Sequence, residues 1–427
     1  MTEEFDYLAK GDFVYRHHAP LVAESANHCT IRDTDGHVWI DLEAANGALL
    51  FGYDDTLLFN AMAAWATLPT VPSFVETEHR RNFARALGRK VEREIGLRGR
   101  LAFENSGALG IELAVRIAAR HHSQRKTLLV LEGCYHGRSI FGSSISSSTR
   151  YRKHLLPSGY RVVRIPVPDE DRASPGELNA AKALAERIIC SEAFGVNDDA
   201  LALIYEPILN VFGLLNPGKT FLNHVLACAR SMGAMLIADE VFTGYHKTGP
   251  FLASSKFSEA CDFLVMSKAI VNGFCPMSAV WGRDQWMDPA VFPPGEYSTT
   301  FSNSPLNFIM AQQVLNRVDA LPDDAVDKVS NRLEVICEEL LRFSAVTGFS
   351  YKVNGLTAYL DHQDPNAVAD LNSRLRARHI LVASTGMSRT RLLLHPPIVF
   401  SQTDLEETVS RLHETKAPRK HENEIAQ

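Results

Sequence analysis

The sequence predicts an α/β protein: a large unit built on a mainly parallel β-sheet with helices on both faces, then a smaller α+β unit. Three observations carry this. From about residue 100 to residue 282, short runs rich in Leu, Ile and Val alternate with helical periodicity, the order that yields a parallel sheet. These runs are apolar at consecutive positions, as strands buried on both faces are. The alternation stops near Pro305, where longer helical segments and a few scattered strands take over.

Taken in order, CTIRDTDGHVWIDL (29–42) predicts a β-hairpin whose Asp35-Gly36 supplies a turn with positive φ. AANGALLFGY (44–53) is small and glycine-bearing, and 56–66 reads as a helix. Phe83, Leu87 and Val91 recur at helical spacing in a charged helix over 76–94. LAFENSGA leads into a helix over 109–120, with Ile111, Val115 and Ala118 as its apolar stripe. TLLVLE (127–132), RVVRIPV (161–167) and ALALIYEP (200–207) are strands, with helices over 176–193 and 220–232. AMLIADE, CDFLVMSK and SAVWG complete the strands by residue 282. Beyond 305 the spacing predicts helices over 306–319, 324–344 and 366–378, strand material in VNGLTAYLD and near 379–383, and a helix from Asp404. The serine-rich GSSISSSTRYRK (142–153) reads as either a solvated connection or a lid over the site. The tail KAPRKHENEIAQ (416–427) is polar and expected to fray.

A chain of 427 residues exceeds what one simple core needs, so two domains are expected. Its 45% hydrophobic and 22% charged residues are those of a soluble globular protein. With 44 basic and 50 acidic residues the formal charge is −6, and no basic stripe invites nucleic acid. The N-terminal MTEEFDYLAKGDF does not read as a signal peptide, and no apolar run is long enough to span a bilayer. The 7 cysteines are odd in number, scattered, and free of any C-x-x-C, which predicts reduced thiols in a cytoplasmic protein. His17-His18 and His121-His122 lack metal-ligand spacing and read as surface pairs.

In open α/β sheets, ligands bind beyond the carboxyl ends of the strands. Two strands end there in Asp239-Glu240 and Ser267-Lys268. Asn105-Ser106-Gly107-Ala108 lies between a strand and a helix, where glycine allows close approach and the first helical amides favour a phosphate. Gly133-Cys134-Tyr135-His136-Gly137 follows the next strand and could offer a ring to a flat cofactor. Thr299-Thr300-Phe301-Ser302-Asn303 could offer a hydroxyl to a phosphate. Each has a plainer reading alone: strand-end polar residues, or Ser106 as a helix cap. Together they describe a phosphate pocket, an aromatic platform, a carboxylate and a lysine on one sheet edge. Pyridoxal 5′-phosphate needs all four. Its aldehyde bonds a lysine and its ring nitrogen takes a carboxylate partner. The lysine, once displaced by a substrate amine, is the natural base for the Cα proton.

Here the chain resembles the class III (ornithine/GABA-type) aminotransferases of PLP fold type I, from about residue 33 to residue 407. DTDGHVWIDL, NSGALGIELAVRIAAR, GCYHGRS, IYEP, ADEVFTG, HKTG, SKAIVNGFCP, TTFSNSPL and HPPIVFSQTDLEE follow in the family's order. The resemblance implies a seven-stranded sheet in a large domain over 51–305. It also implies a small domain over 306–427, joined by an N-terminal segment over 1–50. Lys268 would be the Schiff-base lysine and Asp239 the partner of the pyridine nitrogen. Val241 would pack behind the ring, Tyr135 across its face, and His136 beside it. Ser106, Gly107 and Ala108 would form the phosphate loop, Glu206 the carboxylate near the cofactor. Thr300 would reach the phosphate of a neighbouring subunit, which implies a homodimer.

The departures from the family pattern bear on the substrate. Where glutamate-using members place an arginine three residues before Pro-Pro, this chain has Leu393, and the paired glutamate is Val211. Replacing both leaves neither charge buried alone. The family's glutamine near the cofactor's O3′ aligns with Phe242, and its Arg-Thr-Gly is Lys247-Thr248-Gly249. A more apolar pocket that does not recognise glutamate in the usual way is therefore expected, with Arg389 and Arg391 either a relocated carboxylate clamp or surface residues. An aminotransferase acting by ping-pong exchange is the first reading. An aminomutase of the glutamate semialdehyde type, suggested by Gly-Cys-Tyr-His-Gly, is the alternative. A non-catalytic nucleotide-binding protein is disfavoured by the lack of a G-x-G-x-x-G after the first strand and of a P-loop.

Overall fold

The computed structural model describes residues 21–414 except 154, 156–158, 197 and 385–387. The acidic N-terminal stretch, His17-His18 and the 416–427 tail lie outside the described residues.

Seven strands form the central sheet, in the order Gly99–Glu104, Ser278–Arg283, Phe263–Met266, Met235–Asp239, Ala200–Tyr205, Thr127–Leu131 and Arg161–Ile165. Ser278–Arg283 runs antiparallel to both neighbours, and the other pairs are parallel. The reason lies in its connection. Residues 267–277 hold only a short 3-10 turn, too little chain for the crossover that a parallel return requires.

Leu236 and Ala238 enter one apolar cluster while Met235 and Ile237 enter a second, so alternate residues face opposite sides of the sheet. Both sides are covered, and the strand accordingly reads as continuously apolar. The helix Gly107–His121 packs Ile111, Ala114, Val115 and Ala118 on one side. Lys219–Ser231 and Pro305–Asp319 cover the other through Phe221, Val225, Phe308 and Leu315.

The hairpin Thr30–Asp33 with Val38–Asp41 turns through Gly36, whose φ is +85°. Val38–Asp41 then pairs in parallel with Ile380–Leu381, so both ends of the chain contribute to one sheet. A third sheet joins Ser350–Asn354, Thr357–Asp361, Arg391–Leu394 and Ala383–Ser384.

The serine-rich segment is a solvated connection only in its second half, where Thr149, Arg150 and Lys153 are exposed; its first half is mostly buried. The segment folds into two short helices, Ile140–Ile145 and Thr149–Arg152. The Ser146 hydroxyl accepts from the His136 amide at 2.9 Å and the Ser147 hydroxyl from the Gly133 amide at 2.8 Å. Arg164 donates to the Ser144 and Ser146 carbonyls, each at 3.0 Å. The small hydroxyls satisfy amides of the Gly133–Gly137 turn and brace it. The His121-His122 pair also departs from expectation: His121 is half-buried, its ring edge-on to Trp286 at 4.6 Å.

Candidate active site

The carboxyl ends of the parallel strands and the amino end of Ser278–Arg283 meet around a cavity of about 540 Å³. Ser106, Gly107, Ala108, Tyr135, His136, Glu206, Asp239, Val241 and Lys268 all line it. Thr300 does not and is exposed. Its neighbour Thr299 instead donates to Glu104 at 2.9 Å and accepts from Asn105 at 3.0 Å.

Lys268 begins a 3-10 turn just past the Phe263–Met266 strand and has a φ of +51°. For a residue with a side chain this is a strained conformation that the surroundings must enforce. Ser267 donates to the Met277 carbonyl at 2.7 Å. Asn272, at the end of the turn, accepts from the Phe51 amide at 2.7 Å and donates to the Gly52 carbonyl at 2.9 Å. Burial lowers the pKa of the Lys268 amine, against the opposing pull of Asp239, Glu206 and Glu43.

Asp239 ends its strand with one carboxylate oxygen accepting from the Val241 amide at 3.0 Å and the other from His136 Nδ1 at 2.7 Å. With the Asp239 carboxylate as acceptor, Nδ1 is the donor of that ring. Burial disfavours the charged imidazolium, but Cys134 and the hydrogen bond to Asp239 outweigh it and raise the His136 pKa. Glu206 accepts from the Tyr135 amide at 2.7 Å. Its pKa is raised to about 7, chiefly by burial, with His136 acting downward and Asp239 upward.

Ser106 caps the Gly107–His121 helix, accepting from the Leu109 amide at 3.3 Å. A Cβ on Gly107 would lie 2.7 Å from Val241 Cγ2, and one on Gly137 would lie 2.3 Å from Ala108 Cβ. Glycine is thus required at both points for the turn and Val241 to close on the helix start, where free amides favour an anion.

The wall formed by Phe242 is apolar. Phe242 clusters with Ile208, Leu214, Tyr359 and Leu393, and Val211 also lines the cavity. Arg391 is committed elsewhere. It pairs with Asp169 and, at 3.2 Å, with Asp361, donates to the Gly213 carbonyl at 2.9 Å, and sits 3.9 Å from the Tyr359 ring centroid. Arg389 is exposed in the preceding turn, so neither arginine lines the cavity.

Three titratable groups near the site went unassigned in the sequence. Lys247 is fully buried and its Nζ has no hydrogen-bond partner. Burial, then repulsion from Lys268, lowers its pKa to about 7. His395 is buried with Nδ1 unpartnered, and burial with repulsion from Lys247 and Lys268 takes its pKa well below the usual value. The Glu43 carboxylate accepts from the Asn46 amide at 2.9 Å. Lys247 stood out only within Lys-Thr-Gly and His395 only by preceding Pro-Pro. Neither motif reveals burial.

The residues present fit pyridoxal 5′-phosphate. The cavity has a carboxylate held by two donors, a buried amine, a glycine-lined helix start, and an orphaned polar atom at His136 Nε2. The chain matches the class-III aminotransferase family over residues 14–415. It is 24% identical over 423 residues to an ornithine aminotransferase of Oceanobacillus iheyensis, covering 97% of each chain. It is 26% identical over 412 residues to a 2-aminoadipate transaminase of Pseudomonas putida, covering 93% of this chain and 96% of that one. An omega-aminotransferase from Paracoccus denitrificans superposes with a TM-score of 0.83 at 18% identity over 96% of each chain. An amine transaminase from an uncultivated Pseudomonas species does so with a TM-score of 0.80 at 22% identity, covering 96% of this chain and 98% of that one. These relatives are transaminases, which favours transfer between two molecules over the aminomutase reading. With the family matched almost from end to end, the chain belongs to the class III aminotransferases and is a pyridoxal 5′-phosphate-dependent enzyme that moves an amino group between small amine and keto or aldehyde substrates.

Proposed function

We propose that Lys268 is the lysine to which the cofactor is bound and the base of the reaction. Asp239 is the carboxylate that holds the proton on the cofactor's ring nitrogen. The observation that carries this is the pair's position in one cavity, with Asp239 held by His136 at 2.7 Å. When bound, the cofactor supplies an electron-withdrawing ring that acidifies the substrate Cα–H. The residues around it do the rest. Burial lowers the proton affinity of Lys268, so that its amine takes up and returns a proton. His136 orients Asp239. Tyr135 and Val241 are the groups for the two faces of the ring, Glu206 is the second carboxylate beside it, and Ser106, Gly107 and Ala108 receive the phosphate at the helix start.

The active unit is a homodimer in which Thr300 of one subunit serves the phosphate site of the other. Exposed Thr300 lies beside Phe301, a 66% exposed ring, and Phe74 is 89% exposed, as expected of a face that a second copy covers. The apolar residues at Leu393 and Val211 support donors other than glutamate. All seven cysteines are free, which supports a reducing compartment, the cytoplasm. Among the described residues no helix is long and apolar enough to cross a membrane. The test is borohydride reduction followed by peptide mass mapping. Cofactor should be trapped on Lys268 and on no residue of the Lys268→Ala variant; a trapped adduct persisting in that variant would assign the role to another lysine.

A further inference from the structure

The strand Ala200–Tyr205 runs through Glu206 into a tight turn that closes on itself. The Leu209 amide donates to the Leu215 carbonyl at 2.9 Å, and the Leu215 amide donates back at 3.2 Å. Within that closure the Asn210 carbonyl accepts from the Gly213 amide at 2.9 Å and the Leu214 amide at 3.2 Å. Arg391 fixes the turn from the other side. It donates to the Gly213 carbonyl at 2.9 Å, and a Cβ on Gly213 would fall 2.8 Å from Arg391 Cδ. The arginine engaged by Asp169 and Asp361 thus anchors the turn to the small domain's sheet. Groups presented by a turn tied at this many points are preorganised for binding.

The turn brings Asn210 and Val211 to the wall of the cavity that Lys268 also lines. Asn210 is only 9% exposed, and its Oδ1 has no hydrogen-bond partner. A buried polar atom without a partner is uncommon and costly, and here it belongs to a side chain at the ligand's edge. The carboxamide carries an acceptor and a donor side by side, and its broad terminal torsion lets either end turn to the cavity. The cofactor is a poor complement for the acceptor. Its ring N–H belongs to Asp239 in the assignment above, and its ring oxygen and phosphate oxygens accept. A hydroxyl both donates and accepts, and it pairs with a carboxamide without burying a charge. The flanking side chains of the cavity, Val211 and Phe242, are apolar and supply no counter-ion.

We infer that Asn210 reads a hydroxyl group on the substrate whose amine reacts at Lys268. The inference rests on Lys268 as the reacting lysine. The chemical class is an amino alcohol, or the hydroxylated carbonyl compound it becomes, with the hydroxyl further along an otherwise apolar chain.

The test uses ethanolamine, 3-aminopropanol and 4-aminobutanol as donors. Each is compared with the analogues that carry a methyl, a carboxylate or a second amine in place of the hydroxyl. Single-turnover donor half-reactions give kcat/KM for the holoenzyme and for Asn210→Leu, which keeps the size and removes the polar atoms. Asn210→Ala makes no demand on space and should show the same loss, which guards against a Leu variant that disturbs the turn. At one chain length or more the hydroxyl donor should exceed its methyl analogue by about five- to a hundredfold in the wild type, and both variants should erase that ratio. A hydroxyl advantage at no length, or one that survives in both variants, would overturn the inference. So would a carboxylate or second amine that outpaces the hydroxyl and loses its lead in Asn210→Leu. Affinity for pyridoxal 5′-phosphate and the pH at which the absorbance of the lysine-bound cofactor titrates should match between wild type and Asn210→Leu. A shift in either would make Asn210 a cofactor ligand and overturn the substrate role. Borohydride trapping at Lys268 is scored separately, so a wrong choice of reacting lysine would be seen apart from a failed hydroxyl contact.

Discussion

Lys247 makes a sharp prediction for stability because it is buried, ionisable and unpartnered. Its pKa falls from 10.5 to about 7 in the folded chain. Between these values the unfolded chain binds the proton and the folded chain does not, so stability must rise with pH across that window. Below about pH 7 the full cost of the buried charge is present. The fall spans about 3.5 decades of proton affinity, and at about 1.36 kcal/mol per decade it is worth about 5 kcal/mol. Methionine has similar length and no charge, so Lys247→Met removes the titration and keeps most of the packing. The assay is equilibrium urea unfolding of the cofactor-free protein from pH 6 to pH 10.5. Lys268 remains in both proteins, and its contribution largely cancels in the difference. At pH 6 the variant is expected to be the more stable protein, and its advantage should shrink by about 5 kcal/mol as pH approaches 10.5. A stability difference flat with pH to within about 1 kcal/mol would refute the reasoning, because Lys247 would then be charged and partnered throughout.

Gly107→Ala places a methyl 2.7 Å from Val241 Cγ2, an overpacking that costs about 1–3 kcal/mol. Cofactor affinity, titrated spectroscopically on the apoenzyme, should fall about five- to a hundredfold and recover when Val241→Ala is added. Leu393→Arg buries a charge where the chain is 2% exposed and should lower stability by about 3–5 kcal/mol by urea unfolding. Adding Val211→Glu should restore part of that loss and raise turnover with glutamate; no restoration would mean that the two positions do not face each other. Phe301→Ser should shift the sedimentation profile toward monomer at micromolar concentration, and an unchanged profile would remove Phe301 from the proposed dimer face.

Much of the fold was legible because its strands are covered on both faces, which writes them into the sequence as unbroken apolar runs. Asp239 and Lys268 stood out because each follows such a run directly. The direction of Ser278–Arg283 is not written in its apolar run; the clue is the short 267–277 connection, which leaves no room for a parallel crossover. The serine-rich 142–153 segment was legible only in its exposed half, for a different reason. A serine that satisfies a distant turn's amide has the same letter as one that faces water, and only the fold brings Ser146 under His136. Arg391 looked like a free cation until the chain brought Asp169 and Asp361 to it. Burial of Lys247 and His395 had no signature either, because a lysine beside Thr-Gly and a histidine before Pro-Pro are ordinary on a surface.

The two sides of the site handle charge differently, and the difference bears on what can bind. Around Asp239 the carboxylates are matched, His136 and the Val241 amide serving Asp239 and the Tyr135 amide serving Glu206, and the polar atom left over is His136 Nε2. Around Phe242 the polar groups are not. Leu393 and Val211 supply no charge, Arg391 is engaged by two aspartates, and Lys247 Nζ and His395 Nδ1 have no hydrogen-bond partner. A ligand anion at Arg391 would have to break ion pairs already formed. Lys247 is no ready cation, because burial lowers its pKa to about 7 and its amine would have to take up a proton inside the fold. The Phe242 side therefore offers a substrate carboxylate no ready cation, since Arg391 is paired and Lys247 gives up its proton above about pH 7, in keeping with apolar recognition along that wall.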